Sequence, residues 1–130
     1  MDPGRITFNT AKGPRPAGPY SSAVVCGEMA WLSGLIAIDP ENGKPVTGET
    51  IEAEAHRVFQ NAGIILKELG CDYGEVLKVT LYLTDMADFS AVNGIYAHYF
   101  GPDYPARTAV QVAALPLGMR LEADLVAHIP

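Results

Sequence analysis

The sequence predicts an α+β fold, with one mixed β-sheet and two helices packed on the same face. Two segments repeat apolar residues at the three- and four-residue spacing of amphipathic helices, and other segments alternate apolar and polar residues as strands do. The order is strands, helix, strand, helix, strands. Two helices can cover only one face of such a sheet, so the other face is left open. The 130 residues are expected to form a single domain, residues 1–130.

The N-terminal third predicts an arm, two strands and a loop. Residues 11–20, AKGPRPAGPY, are dense in Pro and Gly and indicate an extended arm. Residues 23–25 and 29–33 predict two strands around a tight connection. Residues 39–48, DPENGKPVTG, combine the residue types that favour turns and therefore predict a loop.

Both helices have recognisable ends. Thr50 is a good N-cap for the first helix, acidic residues suit its first turn, and Gly70 closes it. The second helix is expected to begin at Asp85 or Asp88 and to end before Gly101, which is followed by proline. Between the helices, residues 77–83 alternate as a half-covered strand whose leucine and valine side chains face the helices.

Residues 107–112 and 121–129 predict the last two strands, joined as a hairpin by the turn at residues 115–118. Alternation along the first of these strands directs Arg107 to the open face and Val110 beneath the helices.

The hairpin register predicts the neighbours of Arg107. A turn centred between residues 115 and 116 pairs Arg107 with Asp124 and Ala109 with Glu122. Arg107 and Glu122 would then be diagonal neighbours on the open face, roughly 7–8 Å apart.

The open face is predicted to be mixed in character. It would carry the ring of Tyr82 and, on the last strand, Glu122, Asp124, Val126 and His128. Such a surface is neither a clean core nor a freely solvated exterior, and it indicates a subunit interface that contains polar pockets.

Arg107 places a permanent charge at the head of an otherwise hydrophobic stretch, YPARTAVQVA. A cation in a dry site needs an anion, because leaving it unpaired costs several kcal/mol. The anion could be Asp124 or Glu122, as a structural ion pair, or the carboxylate of a small acid held by the planar guanidinium. The residues alone leave both possibilities open.

Composition and charge disfavour several functions. The net charge of −6 repels a phosphate backbone and argues against nucleic-acid binding. The longest apolar run is too short to span a membrane and is interrupted by Glu28. The N-terminal residues lack the pattern of a signal peptide, so the cytoplasm is the expected location. The cysteines and histidines lack metal-ligand spacing, and no metal is expected.

Several stretches resemble one family, the reactive intermediate deaminases of the RidA/YjgF family. The resemblance covers nearly the whole chain, and its most specific element is PARTAVQVAALPLGMRLEADLVA, which resembles the C-terminal signature of the family. The other matching stretches are GPYSSAV at 18–24, WLSGLIAIDPENGKPV at 31–46 and DFSAVNGIYAHYF at 88–100.

The resemblance implies a homotrimer of chorismate-mutase-like subunits with sites in the clefts between subunits. It also implies hydrolysis of 2-imino acids, such as 2-iminobutanoate and 2-iminopropanoate, to 2-oxo acids and ammonia without a metal or organic cofactor. Arg107 matches the arginine that clamps the substrate carboxylate. Glu122 matches the carboxylate that orients or activates the attacking water.

The resemblance also implies binding roles for other residues. Tyr20 resembles the aromatic residue that closes the cleft, Ser33 and Gly34 resemble the backbone segment that lines it, and Asn93 resembles the asparagine that helps to order it. Backbone groups near Ala109 are expected to help hold the imine nitrogen and the water.

Two positions depart from the pattern: Leu35 and Ala109 stand where many members carry glutamine and cysteine. Both changes make the pocket more apolar, which leaves the substrate range open.

Three other functions are compatible with parts of this pattern. A non-catalytic trimer that binds or senses small 2-oxo or carboxylic acids would use the same Arg107. An RNA-acting protein is disfavoured by the negative charge. A chorismate mutase would share the expected fold but needs several cations for a dicarboxylate.

Overall fold

The computed structural model describes residues 4–46 and 50–130, so the predicted loop at residues 39–48 lies partly outside the described residues. Within that range the strands are β1 (Arg5–Phe8), β2 (Ala23–Cys26), β3 (Met29–Leu35), β4 (Val76–Leu83), β5 (Ala106–Gln111) and β6 (Leu121–His128). The helices are α1 (Ile51–Glu68) and α2 (Phe89–Phe100). The α+β prediction is confirmed, and β1 is a strand that the sequence pattern did not reveal.

The strands form one mixed sheet in the order β1-β2-β3-β6-β4-β5. All neighbours are antiparallel except β4 and β5, which are parallel because α2 connects them as a crossover. Strand β6 therefore lies inside the sheet, where each second residue is buried beneath the helices.

The predicted hairpin of the last two strands is wrong. Strand β4 lies between β5 and β6, and β5 pairs only with β4 along the edge of the sheet. The reason lies in composition: β6 buries Leu121, Ala123, Leu125 and Ala127, whereas the residues of β5 are mostly exposed. Placing the more apolar strand at the centre buries more apolar surface.

The parallel register also reverses the predicted facing of β5. Arg107 pairs with Val79 and Ala109 with Leu81, whose side chains are buried on the helix-covered face. Residues paired across two strands share a face, so Arg107 and Ala109 lie on the helix side. Val110, predicted beneath the helices, is instead 40% exposed.

The predicted pairing of Arg107 with Asp124 and of Ala109 with Glu122 is therefore wrong as well. Glu122 pairs with Tyr82, and Asp124 pairs with Thr80, on the open face. Arg107 and Glu122 lie on opposite faces, and their strands are roughly 10 Å apart because β4 separates them.

Buried polar groups hold the start of β6. Glu54 is 4% exposed, and its Oε1 accepts hydrogen bonds from the backbone N–H groups of Arg120 (2.5 Å) and Leu121 (3.0 Å). Asp88 makes no N-cap bond to α2; it forms an ion pair with Arg120 at 2.6 Å. Asp85 caps the turn before α2 by accepting a hydrogen bond from Ala87 at 2.9 Å.

A bulge shifts the pattern at the start of β4. The register with β6 changes between Val76 and Lys78, so Val76 is buried and Leu77, predicted to face the helices, is 47% exposed. From Val79 onward the predicted alternation is confirmed.

The open face has the mixed character that the sequence predicts. The Tyr82 hydroxyl donates a hydrogen bond to Asp124 Oδ2 at 2.8 Å, and Val126 pairs with Trp31, whose ring is 44% exposed. Neither α1 nor α2, the helices of the described residues, has the length and hydropathy needed to cross a membrane.

Candidate active site

A cleft of about 930 Å³ opens between the arm, residues 11–20, and strand β3. Four of the predicted site residues line it: Tyr20, Ser33, Gly34 and Glu122. Much of the remaining wall is apolar and includes Leu35, Ile36, Ile38 and Leu117. The structure thus brings together the half of the predicted site that contains the carboxylate.

Gly34 allows the Glu122 carboxylate to lie against the backbone. A Cβ atom at position 34 would stand 2.0 Å from Glu122 Oε2 and 2.8 Å from its Cδ, so a side chain there would displace the carboxylate. The register between β3 and β6 shifts between Leu32 and Leu35, so residues 33 and 34 leave the regular ladder at this point. The absence of a side chain at Gly34 therefore lets Glu122 keep its position in the cleft.

The environment of Glu122 makes its carboxylate more basic. Burial first, and then the negative charge of Asp124, raise the pKa of Glu122 above its usual value. None of the described residues donates a hydrogen bond to it, whereas Asp124 accepts one from Tyr82. Glu122 is thus a partly buried carboxylate whose oxygens are available to a water molecule.

Ser33 and Tyr20 have local structural contacts in the cleft wall. The Ser33 hydroxyl donates to the carbonyl of Ser21 at 2.6 Å, and its N–H donates to the carbonyl of Ser22 at 3.0 Å. The Tyr20 ring is 51% exposed, and its hydroxyl accepts a hydrogen bond from Ala17 N at 3.2 Å. Ser33 therefore fixes the wall, and Tyr20 presents an exposed ring at the cleft.

Arg107 belongs to a second cluster at the β5 edge of the sheet. One guanidinium nitrogen donates to Asn93 Oδ1 at 2.7 Å. Its Cζ lies 4.8 Å from the centroid of the Tyr96 ring and 5.3 Å from that of Phe89. Ala109 follows two residues later on the same face. The structure thus brings Asn93 to Arg107 and adds two aromatic contacts, with Phe89 and Tyr96, that the motif match does not identify.

Arg107 has no internal counter-ion in the described residues. The ion pairs found there join Arg120 to Asp88 and His128 to Glu28. The alternative in which Asp124 or Glu122 neutralises Arg107 is therefore wrong for the single chain. Arg107 is held by an amide oxygen and two rings, and these leave its charge uncompensated.

Tyr96 adds an unusual group to this cluster. Its hydroxyl is buried and has no hydrogen-bond partner among residues 4–46 and 50–130. Burial raises the pKa of Tyr96 to about 12, against the opposing charge of Arg107. The phenol is therefore neutral beside the guanidinium and makes no ion pair with it.

The predicted site is thus divided in two. Tyr20, Ser33, Gly34 and Glu122 line the cleft, while Arg107 and Asn93 lie together at another edge of the sheet. No three His, Cys, Asp or Glu side chains of the described part of the chain lie close enough to share a metal ion.

The fold and the two clusters define the class of protein. It is a small α+β subunit that has a carboxylate in a cleft and, at another edge of the sheet, an arginine without a counter-ion in the described residues. The family model described as Endoribonuclease L-PSP matches residues 10–129. The chain belongs to this family, also called the RidA/YjgF family, as its sequence motifs predict.

Named relatives share most of the chain. The human protein named 2-iminobutanoate/2-iminopropanoate deaminase is 47% identical over 123 residues, which cover 95% of this chain and 89% of that protein. The structure of RidA from a Psychrobacter species matches with a TM-score of 0.90 and 37% identity, covering 95% of this chain and 99% of that one. The structure of E. coli TdcF with bound serine matches with a TM-score of 0.88 and 31% identity, covering 95% of this chain and 98% of that one.

Proposed function

We propose that this protein is an enzyme that hydrolyses 2-imino acids, among them 2-iminobutanoate and 2-iminopropanoate, to 2-oxo acids and ammonia. The observation that carries the proposal is the Arg107 guanidinium, which is oriented by Asn93 and lacks a counter-ion in the described residues. Such a group is suited to bind the carboxylate that all these substrates share. The human deaminase at 47% identity and the serine bound to TdcF support this substrate class.

The complete site is proposed to lie between subunits of a homotrimer. Within one chain, Arg107 and Glu122 are on opposite faces of the sheet and two strands apart. A second copy that seats its Arg107 edge at the cleft would join the cation to Glu122. The open face, with its exposed Trp31, supports a subunit interface because a large apolar ring is seldom left in water beside polar pockets.

The proposed mechanism needs only the residues of the two clusters. Arg107 binds the substrate carboxylate through two parallel hydrogen bonds, and Asn93 holds the guanidinium in place. Glu122 accepts a proton from water as the water oxygen attacks the imine carbon, and the proton then passes to the nitrogen. The carbinolamine expels ammonia and leaves the 2-oxo acid. Backbone groups near Gly34 and Ala109 hold the nitrogen and the water.

A coupled assay tests the catalytic proposal. Threonine dehydratase generates 2-iminobutanoate, and release of 2-oxobutanoate is followed with and without this protein. We expect release to be faster in its presence, in proportion to its concentration. Unchanged release together with measurable binding of 2-oxobutanoate would instead support the alternative, a non-catalytic binder of small carboxylic acids.

RNA cleavage, which the family-model description names, is not the function we propose. The net charge is −6, and two of the carboxylates that contribute to it, Glu122 and Asp124, lie on the open face. A phosphate backbone would be repelled by this surface. An RNA substrate in the same preparation is the appropriate negative control.

Mixed oligomers test whether each site is shared between subunits. Arg107→Ala and Glu122→Gln chains are each expected to be inactive when expressed alone. When the two are co-expressed, sites that combine Arg107 of one chain with Glu122 of the other should restore activity. Random mixing predicts about one quarter of the wild-type activity per site. A mixed preparation that stays inactive, with mixing verified by mass spectrometry, would contradict a shared site.

We also propose that the protein works in the cytoplasm. Its two cysteines, Cys26 and Cys71, are unpaired, which is usual for proteins of a reducing compartment.

A further inference from the structure

The arm that forms one wall of the cleft, residues 11–20, is closed at its base by hydrogen bonds. Thr10 N donates to Ser22 Oγ at 3.0 Å, and Ser22 N donates to Asn9 Oδ1 at 3.2 Å. The arm thus leaves and returns at nearly the same point, as a compact surface loop does. Its path between these points carries Tyr20 into the cleft wall.

One carboxylate on the last turn of α1 clamps the start of the arm. Glu68 Oε1 accepts a hydrogen bond from Thr10 Oγ1 at 2.5 Å, and Glu68 Oε2 accepts from Ala11 N at 3.1 Å and from Lys12 N at 2.9 Å. We name this arrangement the Glu68 clasp. It joins three consecutive residues, Thr10 at the base of the arm and Ala11 and Lys12 at its start, to helix α1. Glu68 lies 56 to 58 positions after them in the chain.

The clasp is connected to the floor of the cleft through Thr10. Thr10 is 3% exposed, and its hydroxyl also accepts a hydrogen bond from Gly13 N at 2.8 Å. Ser22, whose hydroxyl accepts a hydrogen bond from Thr10 N, also accepts one from Ser33 N through its carbonyl. The next residue after Ser33 is Gly34, against which Glu122 lies. A continuous set of hydrogen bonds therefore runs from Glu68 to the cleft floor.

Glu68 is charged in the folded protein. Partial burial acts to raise its pKa, but the hydrogen bonds from Thr10, Lys12 and Ala11, with the charge of Lys12, outweigh burial, and the pKa lies below its usual value. A carboxylate can accept all three bonds at once. A glutamine in its place can keep its oxygen on the N–H groups of Ala11 and Lys12, but its NH₂ group then replaces the acceptor of the Thr10 hydroxyl, and the negative charge that strengthens all three bonds is lost.

We propose that Glu68 is a positioning residue of the active site, which fixes the arm and thereby holds Tyr20 over the bound substrate. This inference rests on the proposed function, since it concerns the same cleft. Glu68 touches no substrate and acts only through Thr10 and the arm. Its loss should weaken substrate retention and leave the chemical step, which depends on Glu122, nearly unchanged.

The experiment is a double-variant cycle in the coupled assay. Glu68→Gln is expected to raise KM for 2-iminobutanoate about tenfold, the scale of losing a hydrogen bond to a charged group, with kcat within about twofold. In a Tyr20→Ala background the same substitution should change KM by less than about twofold, because the ring that it positions is absent. Thr10→Val should reproduce the effect, and Thr10→Ser, which keeps the hydroxyl, should not.

A proteolysis measurement and a matched control variant separate positioning from a general loss of stability. Trypsin cleavage after Lys12, followed by mass spectrometry, should become faster in Glu68→Gln because the arm is released. Glu52→Gln is the matched control, since Glu52 is an exposed carboxylate on the first turn of α1; its KM and cleavage rate should equal those of the wild type.

Either of two results would overturn the inference: unchanged KM despite faster cleavage, or equal effects of Glu68→Gln with and without Tyr20. If the wild-type protein hydrolyses no imino acid, the proposed function is wrong, and the same cycle is measured on the Kd for 2-oxobutanoate. An unchanged Kd in Glu68→Gln would then overturn the clasp's role too.

Discussion

Arg107→Ala is expected to lower kcat/KM for 2-imino acids by about 10³-fold while the protein still folds. The guanidinium would form two charge-assisted hydrogen bonds to the substrate carboxylate, each contributing on the order of 1.5–3 kcal/mol, which together correspond to this factor. In the single chain the side chain is exposed and contacts Asn93, Phe89 and Tyr96, so its removal costs the fold little. The measurements are steady-state kinetics in the coupled assay and a thermal melt.

Two variants serve as controls for this prediction. Arg107→Lys keeps the charge but not the planar pair of donors, and it should fall between the wild type and the alanine variant. Arg5→Ala removes an exposed arginine from β1, at the opposite end of the sheet, and should leave kcat/KM within about twofold. If Arg107→Ala changes kcat/KM no more than Arg5→Ala does, Arg107 does not bind the substrate.

Local structure was predictable because its causes are local. Thr50 caps α1 as predicted, accepting a hydrogen bond from Ala53 N at 3.1 Å. The alternation along β6 is also confirmed, since its buried and half-buried residues follow the period of a strand with one covered face. Such patterns involve residues a few positions apart, so they can be recognised without knowing which elements pack together.

Strand pairing was not predictable in the same way. The alternation of residues 107–112 favours Val110 beneath the helices, and a short connection before β6 favours a hairpin, yet neither inference holds in the fold. The crossover connection through α2 decides the pairing, because it makes β5 parallel to β4. Strand β6 then lies inside the sheet, between β3 and β4. A usable signal was present: the residues of β5 are more polar than those of β6, as befits an edge strand.

The candidate site was likewise predictable in its residues but not in their arrangement. The motif match identified Arg107, Asn93, Glu122 and Gly34, and the structure places them in two clusters. That these clusters are separate follows only from the tertiary fold.

Buried polar partners were missed for a related reason. Glu54 fits the acidic first turn of a solvated helix, and Glu68 fits its exposed end, yet Glu54 is buried and both accept hydrogen bonds from distant backbone groups. Nothing in the spacing along α1 distinguishes these two glutamates from Glu52.

The acidic neighbourhood of Glu122 has consequences for the pH dependence of activity that test its proposed role as a base. Burial and the charge of Asp124 raise the pKa of Glu122, so the acid limb of the kcat/KM profile should lie above the pH at which an ordinary glutamate titrates. Asp124→Asn removes the neighbouring charge and should move that limb to lower pH while most of the turnover is kept. A limb that does not move would mean that another group limits the reaction.

Glu122→Gln should lower kcat by about 10²–10⁴-fold, the usual contribution of a general base, with a smaller effect on KM because Arg107 still binds the carboxylate.

The same variant should be more stable than the wild type at neutral pH. A carboxyl whose folded pKa is raised stabilises the fold below its unfolded pKa, and this contribution is lost as pH rises through the folded pKa. Melting temperatures at pH 7 and below about pH 4, where unfolded glutamate is protonated, should therefore show a gain for Glu122→Gln that disappears in acid. A residue kept charged at a cost to stability, and needed for turnover, is what a catalytic base in this cleft requires; a variant that lost stability at pH 7 while retaining kcat would mark Glu122 as a structural residue instead.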